Sequence, residues 1–170
     1  MADVTKTKGQ AVRSMGDREG KYLTFSLAKE EYGIGILKVK EIIGMLPITT
    51  IPRVPAFVKG VINLRGKVIP VMDLRLKFAM EEIGYTERSC IIVVEFAGQT
   101  GSVLVGIVVD AVSEVLNIKG VDIEETPTFG ATLDTDYILG MAKISGRVKI
   151  LLDINKVLTG EEIVSLDKAA

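Results

Sequence analysis

Alternating apolar and polar residues define the first strands of this chain. From residue 21 onward a period of two places Leu23, Phe25 and Leu27 on one face, as in a half-buried strand. A second alternation sets Ile34 and Ile36 among single glycines. It predicts a second strand that packs thinly on its glycine side, because glycine offers no side chain.

Two glycine-containing turns predict β-hairpins further along the chain. The segments VINL and KVIPV flank Arg65-Gly66, and MAKI and RVKILLDI flank Ser145-Gly146. Glycine supplies the positive φ that a tight hairpin turn requires. The runs CIIVVEF and VLVGIVV between them are rich in β-branched residues, which is typical of strands. The chain is therefore predicted to be all-β.

Helical patterns are short and occupy little of the chain. The segment LRLKFAM follows Asp73, and INKVLTGEEIVSLDKAA stands near the C-terminus, so residues 159–170 are predicted to form a helical tail. Residues 1–19 are polar and small and show no period, which predicts a flexible N-terminal tail.

The two halves of the chain resemble each other at two fixed offsets. Residues 60–78 match 140–158 at an offset of 80, and residues 32–43 match 105–116 at an offset of 73. Because both matches occur in the same order, they indicate a duplicated β unit with a longer loop in the second copy.

Each copy holds about five short strands, which predicts two small β-barrels packed side by side. We expect the first barrel at about residues 20–80 and the second at about residues 88–158. An exchange of a strand or helix at their ends stays open. The polar segment MEEIGYTERS marks the junction between the two units.

Composition limits the classes of function. The chain of 170 residues is 48% hydrophobic, enough for one domain or two small ones. A net charge of -1 predicts no general attraction to nucleic acid or anionic lipid. No apolar run approaches the roughly 18 residues of a membrane helix, and the first residues lack a signal-peptide core. The single cysteine, Cys90, excludes an internal disulfide and fits a reducing cytoplasm.

The chain contains no histidine, which removes the commonest general base, the usual catalytic triads and most zinc sites. We therefore expect no catalytic residues, no metal and no cofactor. A hydrolase would need two converging acids, and the equivalent residues Asp73 and Asp153 are better explained as helix caps or turn acceptors. A small barrel that binds nucleic acid is the other alternative, but it predicts clustered basic and aromatic residues, and the aromatic residues here are dispersed.

Arg65 is the charged residue with the most alternatives. The segment NLRGK lacks the glycine spacing of a phosphate-binding loop and precedes a strand, and the near-neutral net charge disfavours a basic patch. Its equivalent in the second copy is Ser145, so the hairpin does not need an arginine to close. Glu41, whose own equivalent is Glu114, is expected to lie at the same edge and to form an ion pair with Arg65.

The apolar content exceeds what two small barrels readily absorb. The segments YGIGILKVKEIIGMLPIT and VLVGIVVDAVSEVLNI hold the surplus isoleucine, valine and leucine. These residues are predicted to fill the seam between the barrels or to form an exposed surface for a partner protein.

Four segments closely resemble the CheW family of bacterial chemotaxis proteins: EEYGIGILKVKEIIG, ITTIPRVPAFVKGVINLRGKVIPVMDLRLKF, VGIVVDAVSEVL and YILGMAKISGRVKILLDINKVL. The resemblance extends from about Lys21 to Leu158. It implies two SH3-like five-stranded β-barrels and an adaptor without catalysis. The implied partners are the helical hairpin tip of methyl-accepting chemotaxis receptors and the regulatory domain of the histidine kinase CheA. The implied location is the cytoplasm, with recruitment to receptor arrays at the membrane.

The resemblance also assigns residues to the two partners. The predicted receptor-binding residues are Ile34, Ile36, Val39, Glu41, Arg65 and Gly66. The predicted kinase-binding residues are Phe129, Ile144, Gly146 and Val148. Ile34 and Ile36 are expected to line a groove between the barrels, and Cys90 is expected to be a packing thiol rather than a nucleophile.

Overall fold

The computed structural model describes residues 18–98, 101–126 and 136–158, together with Glu162. Within these residues the chain forms two sheets, one six-stranded and one five-stranded. The strands are β1 Gly20–Leu27, β2 Glu30–Gly35, β3 Val39–Gly44, β4 Val58–Leu64, β5 Lys67–Asp73, β6 Cys90–Gly98, β7 Gly101–Val109, β8 Ala111–Ile118, β9 Ile123–Glu124, β10 Ile138–Ile144 and β11 Arg147–Leu152. The helices are α1 Leu74–Lys77 and α2 Ile154–Val157. The predicted all-β class with short helices is confirmed.

The two sheets exchange strands between the halves of the chain. The six-stranded sheet has the order β8-β1-β2-β11-β10-β9, and the five-stranded sheet has the order β3-β6-β7-β5-β4. Each sheet therefore combines the first hairpin of one half with the later strands of the other half. The continuous segments at about 20–80 and 88–158 do not each form one sheet, so the strand exchange that the sequence left open does occur.

Short connections explain the exchange. Asp110 alone separates β7 from β8, and a hairpin needs a loop of about two residues to reverse the chain within one sheet. A single 3-10 turn, Ile36–Lys38, likewise separates β2 from β3. At both places the chain runs on into the other sheet.

Two equivalent glycines allow the β1–β2 and β6–β7 hairpins to pack closely against strands from the other half of the chain. Gly33 of β2 pairs in parallel with Leu151, and Gly106 of β7 pairs in parallel with Val71. A Cβ on Gly33 would lie 3.0 Å from the Leu151 side chain, and one on Gly106 would lie 2.8 Å from Ile91. These positions therefore admit only glycine without local displacement.

Most of the buried apolar residues lie in the seam between the sheets. The largest core cluster takes members from both sheets, among them Phe25 and Ile34 on one side and Val94 and Phe96 on the other. Two smaller clusters fill the interior of the five-stranded sheet and of the six-stranded sheet. The surplus apolar residues predicted from the sequence are thus largely absorbed by the seam.

The duplication is visible in local geometry. Asp73 caps α1 and Asp153 caps α2, and each carboxylate accepts a hydrogen bond from the backbone N–H two residues later, at 2.9 Å and 3.1 Å. The backbone N–H of each aspartate donates to a carbonyl, that of Phe57 or that of Tyr137, at 2.8 Å in both cases. The six-stranded sheet has one strand more than predicted, the two-residue β9. An isolated bridge between Thr49 and Val61 stands in the corresponding place of the five-stranded sheet.

The predicted tails lie almost wholly outside the described residues. Only residues 18 and 19 of the first tail and Glu162 of the second are described, and Glu162 is helical and half-buried. Its carboxylate accepts hydrogen bonds from Lys77 Nζ at 2.6 Å and 2.8 Å. None of the helices among the described residues has the length and apolarity needed to cross a bilayer.

Candidate partner-binding surfaces

The β4–β5 hairpin presents Arg65 at its tip. Arg65 has φ +52° and Gly66 has φ +86°, the two left-handed residues of a tight hairpin turn. Asn63 Oδ1 accepts a hydrogen bond from the Gly66 backbone N–H at 2.8 Å and fixes the turn from below. The arginine side chain therefore leaves the hairpin at a defined point.

Arg65 forms the ion pair with Glu41 that the sequence predicted. Its guanidinium donates to both carboxylate oxygens of Glu41, from Nη1 to Oε2 at 3.1 Å and from Nη2 to Oε1. The hydrogen bond from Arg65 lowers the pKa of Glu41, and the hydrogen bond to Glu41 raises the pKa of Arg65. The Arg65 side chain is 70% exposed, so the pair is available to a partner and contributes little to folding.

The apolar residues predicted to bind the receptor lie at different depths. Ile36 and Val39 are half-buried and pack against the seam cluster. Ile34 is only 1% exposed and lies inside the seam, because its alternate position on β2 points between the sheets. Ile34 therefore supports the surface from beneath rather than lining a groove.

Sequence reasoning missed two exposed apolar residues of the segment that carries Glu41. Leu37 is 93% exposed in the 3-10 turn before β3, and Ile42 of β3 is 43% exposed. The one sequence feature that could have indicated the exposure of Leu37 is its position just after the alternating residues of β2, where the chain leaves the sheet. An exposed leucine of this kind is a suitable anchor for a helix from another protein.

A polar depression lies beside Lys38, the residue after Leu37. It encloses about 270 Å³ and is lined by Lys38, Glu95, Ser102 and Asn155 among others. Lys40 Nζ lies 2.7 Å from Glu95, and this hydrogen bond lowers the pKa of Glu95. This part of the surface therefore carries side chains of both charge signs, as the rim of a protein interface commonly does.

The predicted kinase-binding residues lie on the six-stranded sheet. Ile144 is half-buried against the interior cluster, Gly146 has φ +77° at the β10–β11 turn, and Val148 of β11 is 51% exposed. Phe129 lies outside the described residues. The structure therefore brings three of these four residues together at one hairpin, on a different sheet from Arg65.

The geometry disfavours the two alternative functions. Asp73 and Asp153 are caps of separate helices, and Asp73 is 3% exposed with a pKa raised by burial. No group of three potential metal ligands occurs among the described residues. Many surface lysines lie beside glutamates instead of forming a basic patch. Such pairs are Lys40–Glu95, Lys59–Glu82, Lys143–Glu124 and Lys149–Glu31.

Cys90 is placed as expected for a packing thiol. It is half-buried at the start of β6, packs against the seam cluster and lies 3.3 Å from the Arg88 carbonyl oxygen through its Sγ.

The comparison with known proteins decides the family. The model of the CheW-like domain family matches residues 21–162. The chain belongs to the CheW family. The chemotaxis protein CheW of Klebsiella aerogenes is 43% identical over 170 residues, covering 100% of this chain and 96% of that protein. The chemotaxis protein CheW of Rhizobium meliloti is 37% identical over 147 residues, covering 86% of this chain and 91% of that protein.

A solved structure supports the same assignment. The scaffolding protein TtCheW from Thermoanaerobacter tengcongensis has a TM-score of 0.74 and is 39% identical, covering 86% of this chain and 98% of that one. The two SH3-like β units predicted from the resemblance agree with this match. The chain is thus a chemotaxis protein of a family that includes a protein described as a scaffold.

Proposed function

We propose that this chain is a non-catalytic adaptor that couples methyl-accepting chemotaxis receptors to the histidine kinase CheA. It works in the cytoplasm and is recruited to receptor arrays, with no cofactor. One surface binds the helical hairpin tip of a receptor, and another binds the regulatory domain of CheA. Family membership supports the chemotaxis role, and the arrangement of the two hairpins supports the two surfaces.

The observation that carries the proposal is the exposed Arg65–Glu41 pair, together with the exposed apolar residues Leu37 and Ile42 on the segment that also carries Glu41. A receptor helix can pack an apolar stripe on Leu37 and Ile42 while its polar side chains meet the rim. The bidentate pair holds both charged groups in one orientation, which favours one docking geometry over others.

The remaining receptor-binding residues act as support in this proposal. Ile36 and Val39 form the half-buried floor beside the exposed leucine, and Gly66 sets the turn that aims Arg65. Ile34 acts from the core, by fixing β2 against the seam.

Binding of CheA is assigned to the opposite sheet. Ile144, Gly146 and Val148 belong to the β10–β11 hairpin, which is the duplicated equivalent of the Arg65 hairpin. Phe129 is proposed for the same surface from the family resemblance alone. Because the two hairpins lie on different sheets, one chain can hold both partners at once.

A charge reversal tests the receptor surface. We expect Arg65→Glu to weaken binding of a cytoplasmic receptor fragment at least about tenfold, because it places two carboxylates side by side at the interface. Isothermal titration calorimetry measures the dissociation constant. The double variant Glu41→Arg/Arg65→Glu restores the pair with its charges exchanged, so thermal unfolding of this variant should match that of the wild type.

The matched control is Lys67→Glu, which makes the same charge change two residues away on the same hairpin. Lys67 is exposed and forms no ion pair with a described residue. The control should keep receptor binding within about twofold. Unchanged binding by Arg65→Glu, or loss of its cooperative unfolding, contradicts the proposal.

A further inference from the structure

In the second copy, the carboxylate that corresponds to Glu41 has no arginine partner. Glu41 of β3 corresponds to Glu114 of β8, and Arg65 corresponds to Ser145, by the offsets that relate the two halves. The backbone at the two turn positions is the same, since Arg65 and Ser145 both have φ +52°. In the six-stranded sheet a serine therefore stands where the five-stranded sheet has the arginine of the ion pair.

Glu114 is fixed by its backbone while its carboxylate is exposed. The Thr24 hydroxyl donates to the Glu114 carbonyl oxygen at 2.8 Å and lies 3.2 Å from the Glu114 backbone nitrogen. Within the described residues the Glu114 carboxylate makes no hydrogen bond and no ion pair. The position is thus rigid in its main chain, and its charge is left to solvent.

An open depression begins at Leu116, two residues along β8 from Glu114. Its volume is about 350 Å³, and its lining includes Leu116, Ile144 and Ser145 together with two oppositely charged residues, Asp122 and Lys143. Lys143 is already paired with Glu124. Leu116 follows Glu114 by two residues on β8, so the two side chains share one face of the strand. Leu116 and Ile144 also pack against the interior cluster of the six-stranded sheet, which gives the depression an apolar floor.

The corresponding place in the five-stranded sheet is filled by the chain itself. Met45, Leu46 and Ile48 pack over its interior cluster, and the Arg65–Glu41 pair lies at its edge. In the six-stranded sheet Val121 lies in the equivalent connection and is 83% exposed. The end of β8 and the stretch after it also bury Ile118 and Ile123 in the interior cluster, but this part of the chain leaves Val121 exposed, and the turn position of Ser145 has no arginine.

We propose that this depression binds an arginine side chain carried by an apolar-flanked segment of the CheA regulatory domain, which completes at Glu114 the ion pair that Arg65 makes at Glu41. This inference rests on the proposed function, because it takes the kinase as the partner of the six-stranded sheet. Arginine is favoured over lysine because its guanidinium bonds a carboxylate through two parallel N–H groups, as at Glu41. Leu116, Ile144 and Val121 provide the apolar contacts on either side.

Two variants test the proposal by opposite means. Glu114→Gln removes the acceptor charge, and Ser145→Arg supplies an internal arginine at a backbone position that already holds arginine in the first copy. The controls are Glu87→Gln, which removes an exposed carboxylate elsewhere, and Ala56→Arg, which adds the same charge in the exposed turn before β4. Titration calorimetry against the purified CheA regulatory domain gives the dissociation constants, with a receptor fragment as the second ligand.

We expect Glu114→Gln and Ser145→Arg each to weaken CheA binding about tenfold, while receptor binding stays unchanged. We also expect added salt to weaken the wild type more steeply than Glu114→Gln, because the lost contact is ionic. Circular dichroism establishes that each variant is folded. If Ser145→Arg does not fold, Glu114→Gln and its salt dependence decide the proposal.

The outcomes separate the two hypotheses. If the wild type binds CheA and both variants bind equally well, the arginine site is overturned and the proposed function stands. If the wild type does not bind the CheA regulatory domain at all, the proposed function fails and this inference fails with it.

Discussion

Arg65 acts from a backbone conformation that arginine does not favour. Its φ of +52° belongs to the left-handed region, where asparagine and glycine are preferred in hairpin turns. Folding alone therefore does not explain an arginine here. Its contact with Glu41 does, because that contact fixes two charges at an exposed edge.

The two demands on this residue can be separated by Arg65→Asn. Asparagine suits the left-handed turn, and the lost ion pair is exposed, so the melting temperature should rise by about 1–4 °C. Receptor binding should weaken, because the oriented guanidinium is gone. Thermal unfolding followed by circular dichroism and titration with a receptor fragment measure the two effects.

Ser145→Asn makes the same turn change in the second copy and should raise the melting temperature by a similar amount. A lower melting temperature in both variants contradicts the account of the turns. Unchanged receptor binding by Arg65→Asn contradicts the role given to the guanidinium.

Sequence reasoning identified single residues well where the duplication gave an internal comparison. The Arg65–Glu41 pair and the caps Asp73 and Asp153 followed from equivalent positions. The location of Ile34 in the seam was not predicted. Alternation shows that one face of a strand is buried, but it does not show which core that face meets. Leu37 was missed because a 3-10 turn has no period of two.

At the level of elements, Asp110 ties the exchanged hairpins together. Its carboxylate accepts hydrogen bonds from Arg75 Nε at 2.7 Å and Arg75 Nη2 at 2.6 Å, and from the Ala28 backbone N–H at 2.8 Å. Arg75 belongs to α1, which follows β5 of the five-stranded sheet. Ala28 lies in the β1–β2 turn of the six-stranded sheet. The two side chains of the pair are only 12% and 20% exposed, so solvent screens it little.

We therefore expect Asp110→Ala to lower the free energy of unfolding by about 2–3 kcal/mol, because it leaves a largely buried guanidinium without its carboxylate and, among the described residues, with only the Glu81 carbonyl oxygen as acceptor. Urea denaturation measures the change. Lys40→Ala removes one partner of an exposed pair, where Lys40 is 52% exposed, and should have far less effect. Equal effects of the two substitutions contradict the role assigned to Asp110.

The strand pattern and the hairpins at Arg65 and Ser145 were predictable from alternation and glycine placement. Membership of the two sheets was not, because periodicity describes a strand's faces and says nothing of its neighbours. The single-residue connection at Asp110 was a visible signal for the exchange, since one residue cannot close a hairpin.

For the whole molecule, the seam is the principal core and joins the two sheets to which we assign different partners. Because residues of both sheets pack in one cluster, neither sheet is complete without the other. The duplication has also left two hairpins of similar backbone and different side chains, Arg65 in one and Ser145 in the other. We regard this difference as the basis for binding two partners with one repeated unit.

The most direct test of two independent surfaces is a crossed binding measurement on matched variants. Val148 and Val68 are equivalent in the duplication and are 51% and 47% exposed. Val148→Asp should weaken binding of the CheA regulatory domain about tenfold and spare the receptor fragment, and Val68→Asp should spare CheA binding. Arg65→Glu should show the reverse of Val148→Asp. If either Val148→Asp or Arg65→Glu weakens binding of both partners equally, the two-surface account is contradicted.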